Sequence, residues 1–421
     1  MYYKFLMDKA TSSSNKNIVY ILVSLVMGII VGFLYLGFEW LVNNGSNWLW
    51  NDLVQSNIYR WRVMPLALLM SIALTGTILF FGKKRVLKPS LSLLDELNEV
   101  NKTSIGDIAI ILFIGALSLI AGASLGPEAS LVAASMGTAA WLSGKLGAIK
   151  KPVAFVLSIS SIGALLAAFF NSLLPVIIPL LLLKQKGKLN ATNALIVIFS
   201  GVAAWSVVHI IKNEAYIEIP LSSSTNINNF AIAALLGFLS IVITLSIKWA
   251  IQRMFPLVEK LHTKLPWLMS ASIFGLVLGL LYFIGGQSVQ FSGSEGLKLL
   301  SENIAQYSAI ALLGLIIVKL LSTSWSITTG YRGGLVFPSI YMGVALSLAF
   351  SALLSLSIGN EAGAVIGSVT GVLMGMINPI VGVILALALF PFSLALMVVG
   401  GAIGSLIALK LSAKLVPPEK S

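Results

Sequence analysis

The chain has 421 residues, of which 57% are hydrophobic and 10% charged, with a mean hydropathy of +0.97. An average soluble chain carries roughly 25% charged residues, so this composition excludes a soluble globular domain and specifies a polytopic membrane protein. The formal net charge is +12 and cysteine is absent, which excludes a disulfide framework; two histidines 53 positions apart, His209 and His262, have no metal-ligand spacing.

In chain order, a polar leader over residues 1–17 carries Lys4, Lys9 and Lys16. The run Ile18–Val42 follows without a small-residue cleavage site and is expected to be a retained helix. Further runs able to span or half-span a bilayer are Val63–Phe81, Ile108–Leu142, Val153–Leu183, Ala194–Ile211, Phe230–Ala250, Leu265–Ile284, Ser308–Leu321 and nearly all of Leu335–Leu409. No extramembrane domain fits between them. His209, near the end of one run, reads as an interfacial or packed histidine rather than a proton relay, having no partner nearby in sequence.

The cations set the expected orientation. Lys4, Lys9 and Lys16 precede the first span, and Lys83, Lys84, Arg85 and Lys88 follow the second. A cytoplasmic N-terminus with an outside loop near Asn43–Tyr59 satisfies both, and puts Lys184/Lys186/Lys188, Lys248/Arg253/Lys260/Lys264 and Lys410/Lys414/Lys420 in the cytoplasm, with the C-terminus. The pI near 9.7 is then a consequence of topology. Basic loops of this kind call for no nucleic acid, and anionic lipid headgroups are the extra partner they fit.

Between Asp107 and Lys145 the only ionisable side chain is Glu128, in Gly122-Ala123-Ser124-Leu125-Gly126-Pro127-Glu128-Ala129-Ser130. A carboxylate at membrane depth is costly unless it faces a water-filled path or a partner, which makes it a functional-site candidate. The alternative is a loop carboxylate at the bilayer edge.

The break at Gly126-Pro127 belongs to a pattern that occurs twice. It is followed 45 residues later by Asn171 in Ala167-Ala168-Phe169-Phe170-Asn171; Gly334-Leu335-Val336-Phe337-Pro338 is followed 44 residues later by Asn378 in Ile377-Asn378-Pro379. Interrupted segments at corresponding positions of two halves point to a midplane site. A helix that begins at membrane depth exposes up to four unpaired N–H groups and the positive end of its dipole, which suits an anion. Backbone amides and hydroxyls can replace chloride's water without trapping the ion. Arg332 is the single cation in either break and is expected at the rim.

These residues carry a resemblance. Leu125-Gly126-Pro127-Glu128 resembles the gating-glutamate motif of the CLC family of chloride channels and chloride/proton antiporters, commonly Gly-Arg/Lys-Glu-Gly-Pro. Ala167–Asn171 is similar to that family's Ala-Ala-Phe-Asn-Ala-Pro helix end, Lys319–Thr323 and Thr329–Pro338 to its second half with the filter Gly-x-Phe-x-Pro, and Ile377–Gly382 to its late Pro-broken helix. The resemblance covers about Leu66 to Ala408. It implies an all-α membrane protein of two inverted-topology repeats, residues 18–212 and 226–414, joined by a linker at 213–225 and followed by a short cytoplasmic tail at 415–421, with broken helices meeting at a midplane anion path. It implies that Glu128 is the external gate, competing with the anion and leaving when protonated. Gly126, Pro127, Ala129, Gly334, Val336 and Phe337 would line the anion sites, and a homodimer would carry one pore per subunit.

The departures are specific. Pro127 replaces the basic residue before the glutamate, Ala129-Ser130 replace the Gly-Pro after it, and Val336 stands at the customary Phe. Of the family's first signature only Lys88-Pro89-Ser90-Leu91-Ser92 is found; Ser90 is the candidate inner chloride-coordinating hydroxyl, with a helix N-cap as its other reading. The tyrosine of the last helix has no counterpart in Gly400–Leu411. The positions of the antiporters' internal proton-accepting glutamate are Leu182 and Leu183, and with the last span running almost to Ser421 the cytoplasmic nucleotide-binding pair of many eukaryotic relatives is not expected.

Chloride or a similar small anion is therefore the expected partner, carried by passive conduction; chloride/proton exchange within the same family and an unrelated inverted-repeat proton-coupled carrier are the alternatives. No apolar span holds a Ser/His/Asp set, paired carboxylates or a two-His motif, so no enzyme activity, cofactor or metal is expected.

Overall fold

The structure, a computed structural model, describes residues 13–55, 58–81, 105–145, 151–212, 227–302, 307–354 and 358–415. The described residues are helical, and their strand-like pairing is confined to one isolated bridge. The helices are α1 (Ser13–Ser46), α2 (Val63–Phe81), α3 (Ile105–Ile120), α4 (Glu128–Lys145), α5 (Lys151–Phe169), α6 (Ile177–Gln185), α7 (Ala191–Ile211), α8 (Ile227–Lys264), α9 (Trp267–Gly285), α10 (Ser294–Glu302), α11 (Ala309–Thr328), α12 (Val336–Leu354), α13 (Ile358–Met376), α14 (Pro379–Leu389) and α15 (Ala395–Leu415). Among the described residues eight helical segments are long and apolar enough to cross a membrane, and the chain is a multi-pass membrane protein.

The succession α3, break, α4, α5, break, α6, α7 returns as α11, break, α12, α13, break, α14, α15. Each half thus repeats a grammar of spans and half-spans. The two asparagines do different work within it. Asn171 ends α5 with a left-handed φ of 44°, a conformation Asn tolerates, whereas Asn378 is the N-cap of α14, accepting from the Ile380 N–H at 3.0 Å with Pro379 at the first helical position.

Packing divides the chain into two compact units that do not follow the halves of the sequence: Met1–Trp40, Arg85–Phe113 and Ala129–Tyr216 form the first, and Leu41–Lys84, Ile114–Glu128 and Ile217–Ser421 the second. A repeat is a relation of topology and a compact unit one of packing, so the two divisions need not coincide.

Without a hydrophobic driving force between helices in lipid, close backbone approach over small residues holds such units together. In the first unit Gly28 and Gly32, one turn apart on α1, lie against Ser200, Ala203 and Val207 of α7. The Trp205 indole N–H donates to the Asn171 carbonyl at 3.3 Å, and the His209 ring stacks on Trp205 with Nδ1 3.2 Å from Asn171 Oδ1. His209 is packed, as expected, but with partners that sequence proximity hid. In the second unit Gly363, Gly367, Gly371 and Gly375 of α13 step along α8 against Asn229, Ala233, Gly237 with Ser240, and Thr244. Four-residue spacing keeps all four glycines on one helix face.

Candidate functional site

Both ends of the candidate site lie in the second unit. α3 stops at Ile120 and α4 starts at Glu128; α11 stops at Thr328 and α12 starts at Val336. The intervening loops are largely buried, so their backbone polar groups need partners. They find them in each other: Gly126 N–H donates to Gly334 O at 2.9 Å and Gly334 N–H to Gly126 O at 2.8 Å.

Glu128, 8% exposed, sits at this junction. Its Oε1 accepts from the Val336 N–H at 2.7 Å. Val336 opens α12, so this donor is one of the orphans of a helix start, where dipole and amide together favour negative charge. Oε2 is buried with no partner of regular geometry, although the amides of Phe337 and of Glu128 itself lie in looser reach of the carboxylate. Both glycines are needed here. A Cβ on Gly334 would overlap the Glu128 carboxyl group, and one on Gly126 would overlap Glu128 Oε2 and the Phe337 ring.

Gly126, Glu128, Gly334, Val336 and Phe337 are therefore brought together. Pro127, between two of them, is half-buried, as are Gly334 and Val336; Ala129 follows in the first turn of α4. Ser90 lies outside the described residues. Arg332, expected at the rim, is buried at 8% exposure, and its backbone N–H donates to Ser118 Oγ at 3.0 Å. Arg332 stands two residues before the bridged Gly334, in the buried 331–333 stretch of this loop.

Behind the bridge is a polar layer that sequence reading missed. Ser124 N–H donates to Ser326 Oγ at 3.1 Å, and Ser124 Oγ lies 3.1 Å from both Thr323 Oγ1 and Ser322 Oγ. The Tyr282 hydroxyl donates to Gly122 O at 2.6 Å, and the Trp50 indole N–H to Ile120 O at 2.8 Å, so the carbonyls at the end of α3 are satisfied by side chains. Gly122, with φ 96°, has the Trp50 ring where a Cβ would go. Lys319 is wholly buried; its Nζ donates to Val289 O at 3.0 Å and Phe291 O at 2.6 Å. The available signal was a hydroxyl-rich, lysine-containing stretch, Lys319–Ser326, inside an apolar span. Among the described residues no group of three His, Cys, Asp or Glu side chains could hold a metal.

Interrupted helices, a buried acid on a helix-start amide and a hydroxyl layer behind it are the features that the described residues of this helical membrane protein bring together. The chain belongs to the voltage-gated chloride channel (CLC) family, which matches residues 90–411. The chain is similar to a slow cyanobacterial Cl−/H+ antiporter (TM-score 0.77, 18% identity, 94% of this chain and 95% of the other). It is also similar to a CLC-type fluoride/proton antiporter (TM-score 0.71, 16% identity, 94% and 97%). At these identities the likeness is one of fold. YfeO of Salmonella newport (strain SL254), proposed by its name to be an ion-transport protein, is 23% identical over 255 residues, and the match spans 60% of each chain.

Proposed function

We propose that the chain carries chloride or a similar small anion across the cell membrane, through a path in each subunit of a homodimer, with Glu128 as its gate and both termini in the cytoplasm. The observation that carries this proposal is the Glu128 carboxylate on the Val336 amide. An anionic side chain there occupies the place a free anion would take. Protonation removes the charge that the amide favours, so the carboxyl group is released and the anion enters. Gly126, Pro127, Ala129, Gly334, Val336 and Phe337 line the anion's position, and backbone amides discriminate only weakly among anions of similar hydration.

Transport is passive in this proposal. By the resemblance, the positions of the internal acid usual in the family's antiporters are Leu182 and Leu183, the latter fully buried, although some relatives exchange without that acid. Coupled exchange is the second reading, favoured by the two antiporters of similar fold. Efflux of chloride from liposomes reconstituted with the purified protein, with a pH electrode in the bath, tests both: chloride-selective efflux supports the proposal, and absence of chloride flux from correctly folded protein refutes it.

A further inference from the structure

Among the described residues the buried acidic and basic side chains are Glu128, Lys319 and Arg332, one acid against two bases. Lys319 is the most enclosed of them. Its ammonium is held by the Val289 and Phe291 carbonyls and lies 5.4 Å from the centroid of the Tyr341 ring, with no carboxylate of the described residues in salt-bridge range. Carbonyl dipoles and an aromatic face partly replace water around an ammonium, yet they bring no net charge, and an uncompensated buried charge is costly.

The lysine is linked to the gate by α12 and by hydroxyl groups. Tyr341 follows Val336 by five residues on α12, a rise of about 7.5 Å. Ser322 Oγ hydrogen-bonds both to the Lys319 carbonyl and to Ser124 Oγ, two residues before Gly126. When Glu128 is ionised it offsets one of the two cations. When it is protonated and released it no longer offsets Lys319, and an anion on the Val336 amide takes over that part.

We propose that Lys319 is a fixed countercharge for the transported anion, a specificity-determining residue that acts through space and never touches the ion. The carbonyl cage is what makes this compatible with conduction. It holds the ammonium behind the hydroxyl layer, so the cation raises anion occupancy without becoming a ligand from which the ion cannot leave. This inference rests on the anion-site proposal above and adds its electrostatic source.

The test is chloride binding measured by isothermal titration calorimetry on purified protein carrying Glu128→Gln, so that the carboxylate does not compete. In that background Lys319→Gln keeps an N–H donor for the Val289 and Phe291 carbonyls and removes the charge, Lys319→Met removes both, and Lys319→Arg keeps the charge. Two unit charges about 10 Å apart at an effective dielectric near 20 predict a loss of affinity of about tenfold. Chloride should bind about tenfold more weakly to the Gln and Met variants and within about twofold of the parent affinity to the Arg variant. If Lys319→Gln binds chloride as the parent does, Lys319 only ties the 289–291 loop and the countercharge is refuted, whether or not Lys319→Met folds. If the Glu128→Gln parent itself binds no chloride, the anion site fails and this inference with it.

Discussion

Gly126 and Gly334, 208 residues apart, exchange both of their backbone hydrogen bonds, at 2.9 and 2.8 Å. This bridge joins the two interrupted segments backbone to backbone, and it does so at residues whose missing side chains make room for the Glu128 carboxyl group. The consequences of that arrangement can be measured.

Gly334→Ala should mimic loss of the gate. The atoms a Cβ would meet belong to the Glu128 side chain, which can swing away, rather than to backbone. Anion efflux at neutral pH should rise and its acid dependence should weaken. In a Glu128→Ala background the same substitution should change efflux by less than about twofold, because the overlap is gone. Gly126→Ala should behave differently, since its Cβ also meets the buried Phe337 ring; a stability loss of about 1–3 kcal/mol is expected for such overpacking, read as a lowered Tm in detergent.

Arg332 should tune rate rather than selectivity. Selectivity is assigned to amides, and the Arg332 backbone, not its charge, holds the loop to Ser118. Arg332→Gln should alter efflux within about tenfold and leave the preference for chloride over potassium intact. Loss of that preference, measured as a reversal potential in a potassium chloride gradient, would show that the guanidinium makes the selection.

The glycine ladder on α13 should be structural. A Cβ on Gly367 would press into the backbone of Ala233, so Gly367→Ala should lower the detergent Tm at a cost of about 1–3 kcal/mol. Gly314 on α11 has open space around it, and Gly314→Ala should leave Tm unchanged or slightly raised.

Coupling has its own readout. In sealed liposomes a chloride gradient should collapse without moving protons uphill, and the zero-flux potential should follow chloride alone. Uphill proton movement driven by chloride and lost in Glu128→Ala would make the protein an exchanger.

Much of this architecture is legible along the chain because membrane spans announce themselves by local composition. Val63–Phe81 is read to the residue, and the breaks at Gly126-Pro127 and Gly334–Pro338 fall where α4 and α12 begin. Glu128 stands out because an acid is rare in such surroundings. What stays hidden is what two distant segments do to each other. Nothing local tells that Gly126 pairs with Gly334, that Arg332 is buried beside that pair, or that Asn171 meets His209. Lys319 belongs to the segment that carries the resemblance, but its burial is missed for a different reason: cations in a membrane protein are normally read as topology signals. Short α10 is missed because nine amphipathic residues carry no span signal.

The most direct test of the gate is anion efflux from liposomes as external pH is lowered, for the parent protein, Glu128→Gln and Glu128→Ala. A hydrogen bond from a backbone amide to a charged group contributes about 1.5–3 kcal/mol, so releasing the carboxylate should shift the open population by about tenfold or more. Parent efflux should rise by that order as external pH falls, while both variants stay open at every pH with flat profiles. If folded, membrane-inserted variants keep the parent's pH profile, Glu128 is a structural carboxylate and the gate lies elsewhere.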